Sequence, residues 1–467
     1  MRSALSLTGA RTATASSRPF SGARHVLSGF QCLRLARHSL LVALQDDHGV
    51  DRGVDQTRRR LLLGAPVLAG ALAAPAADVL AQAGLPERWS AGWGCAPAGP
   101  PPPASLQTFT NQTLRLIVRT SLGGNRVRIR LSNEMGDTEL RLTAAHVGLR
   151  AGGAVVTAGT SRQLTFGGRP GVTIPAGAPA VSDPVSLPVA PFTDLAISLY
   201  FPGTVQATTI HHAAYQASYA STTGDFGAQA SLPVQRAFAS WPFLTEVDVD
   251  RAAPVLVAVG DSVTDGVGST SNGNRRWPDY LARRIQSELG SNRIGVVNRG
   301  ISANRMLADT PTALLAGRDL LERFDRDVLS TAGVRGLAVL IGINDIVYSP
   351  SSAPIPANDL IAGYLQLVTR AHLHGIPVLG ATLPPFLGFV YYTPAREAVR
   401  QAVNAWMRSA LPFDLLADVD LALRDPNDPQ RLRSAYDSGD RLHPNDVGYE
   451  ALAAAVPLAV LSSLMGA

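Results

Sequence analysis

Two hydrophobic patterns divide this chain near residue 250. After that point, short apolar runs rich in β-branched residues alternate with segments in which apolar residues recur at helical spacing. The runs are Val255–Val259, Ile294–Val297, Leu337–Ile341, Ile376–Leu379 and Leu415–Ala417, and the helical segments include Trp277–Leu289 and Asp359–His374. This alternation is typical of βαβ units, so residues 251–467 are predicted to form an α/β domain around a parallel sheet.

Residues 84–250 show short alternating runs, many glycines and prolines, and almost no helical periodicity. The predicted strands include Leu114–Arg119, Val127–Leu131, Val172–Ile174 and Leu195–Phe201. The first two flank a Gly-Gly-Asn sequence at residues 123–125, which predicts a hairpin with one apolar and one basic face. We therefore predict an all-β sandwich of jelly-roll type that is large enough to bury its own core.

Aromatic and histidine residues in this predicted β-domain allow two interpretations. Trp89, Trp93 and Trp241 could stack on a sugar, but packing in the core or at the domain junction is favoured because aromatic side chains are mostly buried. His211 and His212 have no partner at metal-ligand spacing. We predict that they are ordinary strand or loop residues.

The N-terminal segment predicts export. Three consecutive arginines at residues 58–60 precede an apolar stretch that extends to Ala77, and Ala81-Gln82-Ala83 offers a small-residue cleavage site. We predict a twin-arginine signal peptide over residues 56–83, a non-native or disordered extension over residues 1–55, and a periplasmic or extracellular location. The apolar stretch is too short for a spanning helix, so no stable membrane insertion is expected.

Removing this leader changes the charge of the chain. The formal net charge is +5, but the leader holds 10 of the 41 basic and 5 of the 36 acidic residues, which leaves 31 of each sign. A neutral mature chain does not predict a nucleic-acid partner. Of the two cysteines, Cys32 leaves with the leader and Cys95 remains, so no intramolecular disulfide is expected.

Polar residues follow two of the predicted parallel strands. Ser262 follows Val255–Val259 within Gly260-Asp261-Ser262, and Asn344 follows Leu337–Ile341 after Gly342. The carboxyl ends of parallel strands share one edge of a sheet, so both side chains are expected to meet there. A helix that begins at Ser262 would also direct free backbone N–H groups toward an anion. The alternative is an ordinary turn with a capping serine.

An acid and an imidazole stand three residues apart near the C-terminus, in Asp440-Arg441-Leu442-His443. A serine hydroxyl is a weak nucleophile until a base accepts its proton, and an imidazole is a better base when a carboxylate holds its other nitrogen. Asp-x-x-His alone is more often a surface loop. Its occurrence together with Ser262 favours the catalytic interpretation.

These residues, in this order, resemble the SGNH hydrolases, the GDSL family of esterases and lipases. Three family blocks match as Gly260–Gly266, Gly342–Asp345 and Asp440–His443, over a resemblance from about Pro254 to the C-terminus. The resemblance implies a flavodoxin-like three-layer α/β/α sandwich. It also implies Ser262 as nucleophile, His443 as base and Asp440 as the acid that orients it, with possible support from Asp261, Gly300 and Gly342.

The second family block departs from the usual pattern. Ala303 stands where the family places a glycine whose N–H donates to the oxyanion. Alanine keeps that N–H, and the exchange matters if the site requires a positive φ or if Cβ crowds the acyl pocket. The resemblance implies an oxyanion hole made of the N–H groups of Ser262 and Ala303 and the Asn344 side chain, with Gly300 as the alternative to Ala303.

Other residues near the predicted site have simpler interpretations. Asp345 is predicted to cap a helix or a turn. Arg275-Arg276-Trp277 either lines the pocket or begins a capped helix, and the sequence does not decide between these. His372 and His374 are predicted at the end of a helix, where the helix dipole favours them.

The predicted reaction is hydrolysis of a carboxylic ester through an acyl-enzyme. The attached β-domain favours short-chain, acetyl esters on carbohydrate, by analogy of architecture. The alternatives are a lipase or lysophospholipase, an O-acyltransferase with the same triad, and a polysaccharide-binding module with an inert hydrolase domain. No P-loop or zinc motif occurs, so no cofactor or metal is predicted, and the expected partner is a small-molecule or polysaccharide ester. The oligomeric state stays unpredicted.

Overall fold

Antiparallel strands occupy the N-terminal part of the structure, a computed structural model that describes residues 88–311 and 315–467. The predicted leader and the extension before it, residues 1–83, lie outside the described residues. The strands are β1 (Ser90–Gly94), β2 (Thr108–Arg119), β3 (Gly124–Ser132), β4 (Leu140–Leu142), β5 (Ala144–Gly152), β6 (Val155–Val156), β7 (Arg162–Leu164), β8 (Val172–Ile174), β9 (Pro179–Val181), β10 (Val185–Val189), β11 (Asp194–Gln206), β12 (Ile210–His211), β13 (Ser218–Thr223), β14 (Val234–Phe238), β15 (Trp241–Pro242) and β16 (Leu244–Val249).

Most of these strands form two antiparallel sheets. One has the order β1-β16-β3-β10, with β9 also beside β3, and the other has the order β14-β13-β2-β11-β5-β6, with β7 also beside β5. The pairs β4-β8 and β12-β15 are separate. In β3, buried Val127, Ile129 and Leu131 alternate with partly exposed arginines, as expected for a strand with one face on a core. The predicted β-sandwich is confirmed.

The predicted hairpin between the second and third strands is wrong. β2 pairs with β11 and β13, whereas β3 pairs with β16, β10 and β9 in the other sheet. The Gly-Gly-Asn segment therefore carries the chain from one sheet to the other, and a local turn signal does not distinguish these two connections. Arg115 of β2 does not contribute to the expected basic face, because it is fully buried and donates to backbone carbonyls of Ala154, Gln229 and Ala230.

The C-terminal part alternates strands and helices as predicted. Its strands are β17 (Val255–Gly260), β18 (Gly295–Gly300), β19 (Val334–Leu340), β20 (Val378–Ala381) and β21 (Leu415–Ala417). Its α-helices are α1 (Ser262–Asp265), α2 (Trp277–Leu289), α3 (Leu320–Phe324), α4 (Ile343–Val347), α5 (Ala357–Leu373), α6 (Pro394–Ala410), α7 (Val419–Leu423), α8 (Asp446–Ala454) and α9 (Leu458–Leu464). The π-helical turn Asp325–Leu329 continues α3.

The parallel sheet has the order β18-β17-β19-β20-β21, which is 2-1-3-4-5 along the chain and is the flavodoxin-like order. Alternate residues of β17 face opposite layers. Val257 packs in the same core as α5 and α6, and Leu256 packs in the core that contains residues of α2, α8 and α9. The predicted three-layer α/β/α sandwich, the SGNH hydrolase fold, is confirmed.

The β-sandwich and the parallel sheet share one continuous core. Buried side chains of the sandwich, including Trp93 and Trp241, belong to the same cluster as Val257 and Val297. The rings of Trp93 and Trp241 meet edge to face with centroids 4.9 Å apart, so the packing interpretation of these two residues is correct. Trp89 is partly buried, with the guanidinium of Arg128 4.5 Å from its ring centroid. The described residues therefore belong to one compact unit.

Within residues 88–311 and 315–467, no single helix is both long enough and apolar enough to cross a membrane. Helices α8 and α9 meet these two requirements only together, as a pair bent by 59°.

Candidate active site

Ser262 lies just beyond the carboxyl end of β17, an interior strand of the parallel sheet. β17 ends at Gly260, and Asp261 then caps α1 by accepting a hydrogen bond from the Val263 N–H at 3.0 Å. A Cβ at Gly260 would lie 2.3 Å from the carbonyl oxygen of Leu340, so this tight exit from the strand requires glycine. Ser262 is therefore the first residue of α1, and its N–H bonds to no described residue.

His443 joins Ser262 to Asp440. The Nε2 atom of His443 lies 2.8 Å from Ser262 Oγ, and its Nδ1 lies 2.5 Å from Asp440 Oδ2. The other carboxylate oxygen, Oδ1, accepts from the backbone N–H groups of Leu442 and His443 at 3.0 and 2.9 Å. These three predicted residues are brought together although Ser262 and His443 are 181 positions apart.

The hydrogen bonds determine the charge of Asp440. Partial burial alone would raise its pKa, but the hydrogen bonds and charge of His443 and the two backbone donors outweigh burial and lower the pKa to about 2. Asp440 is therefore a carboxylate at neutral pH. It accepts the Nδ1–H of His443, which leaves Nε2 free to accept the proton of Ser262.

Backbone strain shapes the loop that carries Asp440 and His443. Arg441, between them, has φ +73°, a conformation that side chains other than glycine rarely adopt. Asp437 holds this turn because its carboxylate accepts from the N–H groups of Gly439 and Arg441 at 2.8 and 3.0 Å. The loop therefore presents His443 to Ser262 and Asp440 to His443 without belonging to a helix or strand.

Asn344, in helix α4, contacts the loop that carries Ala303. Asn344 is buried in α4, and its Nδ2 donates to the Asn304 carbonyl at 3.0 Å, which uses one of its two amide hydrogens. Ala303 has φ +63°, and its N–H bonds to no described residue. The loop therefore requires a positive φ at this position. The exchange of glycine for alanine matters here because alanine adopts such a φ only at a cost in free energy.

Gly300 and Gly342 stand where a Cβ would collide with neighbouring atoms. The Gly300 N–H donates to Asn298 Oδ1 at 2.9 Å, so it is not free to serve as the alternative oxyanion donor. A Cβ at Gly300 would lie 2.4 Å from the Asp265 nitrogen, so the residue lets β18 approach α1 closely. Gly342 has φ +120° at the start of α4 and stands where a Cβ would approach the Tyr364 hydroxyl to 2.8 Å.

Two buried carboxylates flank these loops. Asp345, predicted to cap a helix or a turn, does not cap α4; its two oxygens accept from the N–H groups of Met306 and Leu307 at 2.8 and 3.0 Å. It lies in the first turn of α4 and braces the loop that follows Ala303. Burial raises the pKa of Asp345 to about 6 and that of Asp261 to about 7.

Some residues around the site had no role in the sequence-based interpretation. The ring of Phe389 meets His443 edge to face with centroids 6.5 Å apart, and Tyr391 contacts both Phe389 and Tyr348. His211, predicted as an ordinary strand or loop residue, lies in β12 with its Nε2 3.0 Å from Asp265 Oδ1. No local motif signals either arrangement, because each depends on contacts between distant segments.

The remaining charged candidates have structural positions. Arg276 is the N-cap residue of α2 and pairs with Asp279 at 2.7 Å, and exposed Arg275 pairs with Asp446 at 2.9 Å, so the helix-start interpretation holds for this segment. His372 lies in the last turn of α5, as predicted. Among the described residues, the one group that meets the spacing for a metal ion contains none of the residues above; it comprises Asp309, Asp319 and Glu322.

Comparison with known proteins agrees with this geometry. Residues 258–451 match the GDSL-like Lipase/Acylhydrolase family. No curated protein matches the sequence. Similar solved structures include a lipolytic protein of the G-D-S-L family from Desulfitobacterium hafniense, at 21% identity and TM-score 0.34 over 45% of this chain and 98% of that one. Another is the acetylxylan esterase Axe2 from Geobacillus stearothermophilus, at 22% identity and TM-score 0.33 over 46% and 96%.

The family match covers the sheet, α1, α4 and the loop with Asp440 and His443. The parallel sheet has the flavodoxin-like strand order, and the three matched sequence blocks converge at one edge of this sheet. Residues 258–451 therefore form a GDSL-like lipase/acylhydrolase domain, of the SGNH hydrolase fold, and this domain is a carboxylic ester hydrolase.

Proposed function

We propose that Ser262 is the nucleophile of a serine esterase. The observation that carries this proposal is the continuous hydrogen-bonded path from Ser262 Oγ through both ring nitrogens of His443 to Asp440. His443 Nε2 takes the hydroxyl proton as Oγ attacks the ester carbonyl carbon. The C–O bond to the alcohol then breaks, and the His443 Nε2–H protonates the departing oxygen, which leaves an acyl-enzyme. Water, deprotonated by His443, hydrolyses it.

The negative charge that forms on the carbonyl oxygen needs donors that are in place beforehand. Three candidates support this role: the N–H groups of Ser262 and Ala303, neither of which bonds to a described residue, and the second amide hydrogen of Asn344. Asn344 is oriented by its bond to the Asn304 carbonyl, and the position of Ala303 follows from its φ of +63°. We propose that these groups form the oxyanion hole.

We propose short-chain acyl esters of carbohydrates, acetyl esters above all, as the substrate. An aromatic surface beside His443 supports the carbohydrate part, because sugar rings pack on exposed aromatic side chains. This surface comprises Tyr348, Phe389 and Tyr391, of which Tyr391 is 44% exposed, and it adjoins Val390, which is 79% exposed. Its place against His443 suits the alcohol, since His443 protonates the leaving oxygen.

The first experiment measures hydrolysis of p-nitrophenyl esters from acetate to palmitate. We expect the highest kcat/KM for acetate and a loss of about four orders of magnitude or more in Ser262→Ala. The control is Ser287→Ala on the exposed face of α2, which should be indistinguishable from wild type. Preference for long chains would indicate a lipase or lysophospholipase instead, and an active Ser262→Ala would contradict the nucleophile assignment.

The carbohydrate part is tested with acetylated xylan and with Tyr391→Ala. Loss of the exposed ring should raise KM for the polysaccharide several-fold and leave p-nitrophenyl acetate hydrolysis near wild type. Equal effects on both substrates would contradict sugar stacking. Acetyl transfer to an added sugar, in place of acetate release, would identify an O-acyltransferase.

We also propose that residues 56–83 direct export by the twin-arginine route. The supporting feature is the arginine run at residues 58–60 before an apolar stretch. Replacing Arg58 and Arg59 by lysine should retain the protein in the cytoplasmic fraction of the host. Unchanged export would contradict this route.

A further inference from the structure

A buried imidazole from the β-sandwich reaches the turn that carries the nucleophile. His211, on β12, is 3% exposed. Its Nε2 lies 3.0 Å from Asp265 Oδ1, and its Nδ1 lies 2.9 Å from the Ala96 carbonyl oxygen. Its ring also stacks on Trp241, with centroids 5.4 Å apart. The imidazole is therefore held by the β-sandwich on one side and contacts α1 on the other.

The partners of His211 determine its protonation. A backbone carbonyl and an ionised carboxylate can each only accept a hydrogen bond. Because His211 contacts one of each, both of its ring nitrogens carry hydrogen. Burial would lower the pKa of His211, but the charge and hydrogen bond of Asp265 outweigh burial and raise it. Burial would raise the pKa of Asp265, but the charge and hydrogen bond of His211 outweigh burial and lower it. Arg276 and His212 also act on this pair, and the charge of Asp265 acts in turn on Cys95, Tyr215 and Asp261. His211 and Asp265 therefore form a buried ion pair.

The second oxygen of Asp265 holds the loop before Ala303. Asp265 Oδ2 accepts from the Ser302 N–H at 2.8 Å and from its hydroxyl at 2.6 Å. Ser302 is adjacent in sequence to Ala303, whose left-handed backbone is unfavourable for a residue other than glycine. Such a conformation persists only where the surroundings hold it. One carboxylate thus connects the β-sandwich, the nucleophile helix α1 and the loop with the proposed oxyanion donor.

We propose that His211 is a positioning residue of ester hydrolysis, which acts through Asp265 and Ser302 to hold the Ala303 N–H toward the oxyanion. The inference rests on the proposed function, in which Ala303 donates to the oxyanion. It assigns the β-sandwich a part in the active site. The interaction strengthens transition-state binding more than substrate binding, so its loss should lower kcat rather than raise KM.

The test compares His211→Ala with His211→Gln on p-nitrophenyl acetate. We expect kcat to fall ten- to a hundredfold in His211→Ala with KM within about threefold, a part of the hundred- to thousandfold associated with loss of one oxyanion donor. Glutamine still offers an N–H to Asp265, so it should restore part of kcat. The matched control is His372→Ala, which removes another His-Asp pair, His372 with Asp414 at 2.8 Å, that is exposed at the end of α5.

A second background separates positioning from a merely structural role. Glycine adopts a positive φ without strain, so a loop with Ala303→Gly depends less on being held. The kcat ratio caused by His211→Ala should therefore be at least threefold smaller when both chains carry Ala303→Gly. If kcat is unchanged in His211→Ala, or if its loss is the same in both backgrounds, the proposal is wrong.

Folding and the proposed function are controlled separately. Should His211→Ala fail to fold, Ser302→Ala decides: it removes one of the two bonds to Asp265 from the loop side and should lower kcat several-fold, and wild-type kcat would overturn the proposal. Ser262→Ala is assayed in parallel. If it is active, the proposed function itself fails; if it is inactive while His211→Ala is fully active, only the role of His211 fails.

Discussion

The two parts of the molecule contribute to the same site in different ways. In the α/β part, Ser262 and Asn344 each follow a parallel strand, so their meeting point is a property of the sheet. In the β-sandwich, His211 lies on a two-residue strand and reaches Asp265, 54 positions later, through packing alone. The comparison teaches that a part of the chain without catalytic motifs can still contact the turn that carries the nucleophile.

The largest expected effect concerns the α/β part alone. His443→Ala removes the proposed base, and we expect kcat to fall by about four to six orders of magnitude, since the members of a triad act as a unit. His374→Ala, exposed after α5, serves as the control for loss of an imidazole. A loss smaller than that of His211→Ala would reverse the ranking of the two parts.

The second effect concerns the junction of the two parts. Arg299 of β18 is buried and pairs with Glu246 of β16, which Arg130 also contacts at 3.1 Å. Arg299→Met leaves Glu246 buried with fewer partners, and we expect the free energy of unfolding to fall by about 3–5 kcal/mol in urea titrations.

The control for this junction is the exposed pair Arg431–Asp428, 3.2 Å apart, for which Arg431→Met should cost at most about 1 kcal/mol. Equal costs for both variants would mean that the two parts are not joined through the buried pair.

The third prediction concerns the free energy of unfolding that is lost by burying a carboxylate in the α/β part. Asp261 is buried, its Oδ2 has no partner among the described residues, and its pKa is raised to about 7. Between about pH 4, its ordinary pKa, and pH 7, the folded state binds the proton more tightly than the unfolded state, so stability falls as pH rises. Asp261→Asn keeps the Oδ1 acceptor for Val263 and should remove this fall, about 2–4 kcal/mol between pH 4 and 8.

Urea unfolding at both pH values measures this difference. Asp440→Asn is the opposite case, because the pKa of Asp440 is lowered to about 2 and its charge stabilises the folded state above about pH 4. Its neutralisation should reduce stability at neutral pH. Parallel profiles for Asp261→Asn and wild type would show that burial of Asp261 carries no such cost.

The smallest expected effect concerns Ala303, which follows the residue, Ser302, that Asp265 holds. Ala303→Gly relieves the cost of φ +63° and should raise the free energy of unfolding by up to about 1 kcal/mol. Ala398→Gly, on the exposed face of α6, should lower it by about 1 kcal/mol, because glycine is unfavourable inside a helix. A decrease in both variants would show that the loop holds Ala303 without strain.

Much of the α/β part was predictable because its signals are local. Trp277–Leu289 forms a helix with the predicted bounds, and the run Val255–Val259 lies in a strand. The predicted hairpin was wrong because its outcome depends on distant strands. The Gly-Gly-Asn segment is compatible with a hairpin and with a connection between sheets, and only the pairing of the other strands decides between these.

By itself, the sequence determined the order of strands and helices, the polar residues at the ends of β17 and β19, and the pairing of Asp440 with His443, because each depends on residues close together in the chain. Tertiary structure decided the positive φ of Ala303, the use of Asp345 as a brace for a neighbouring loop, and the contact of His211 with Asp265. These depend on which distant surfaces pack together, and the free energy of that packing is shared by the whole core rather than by any short segment.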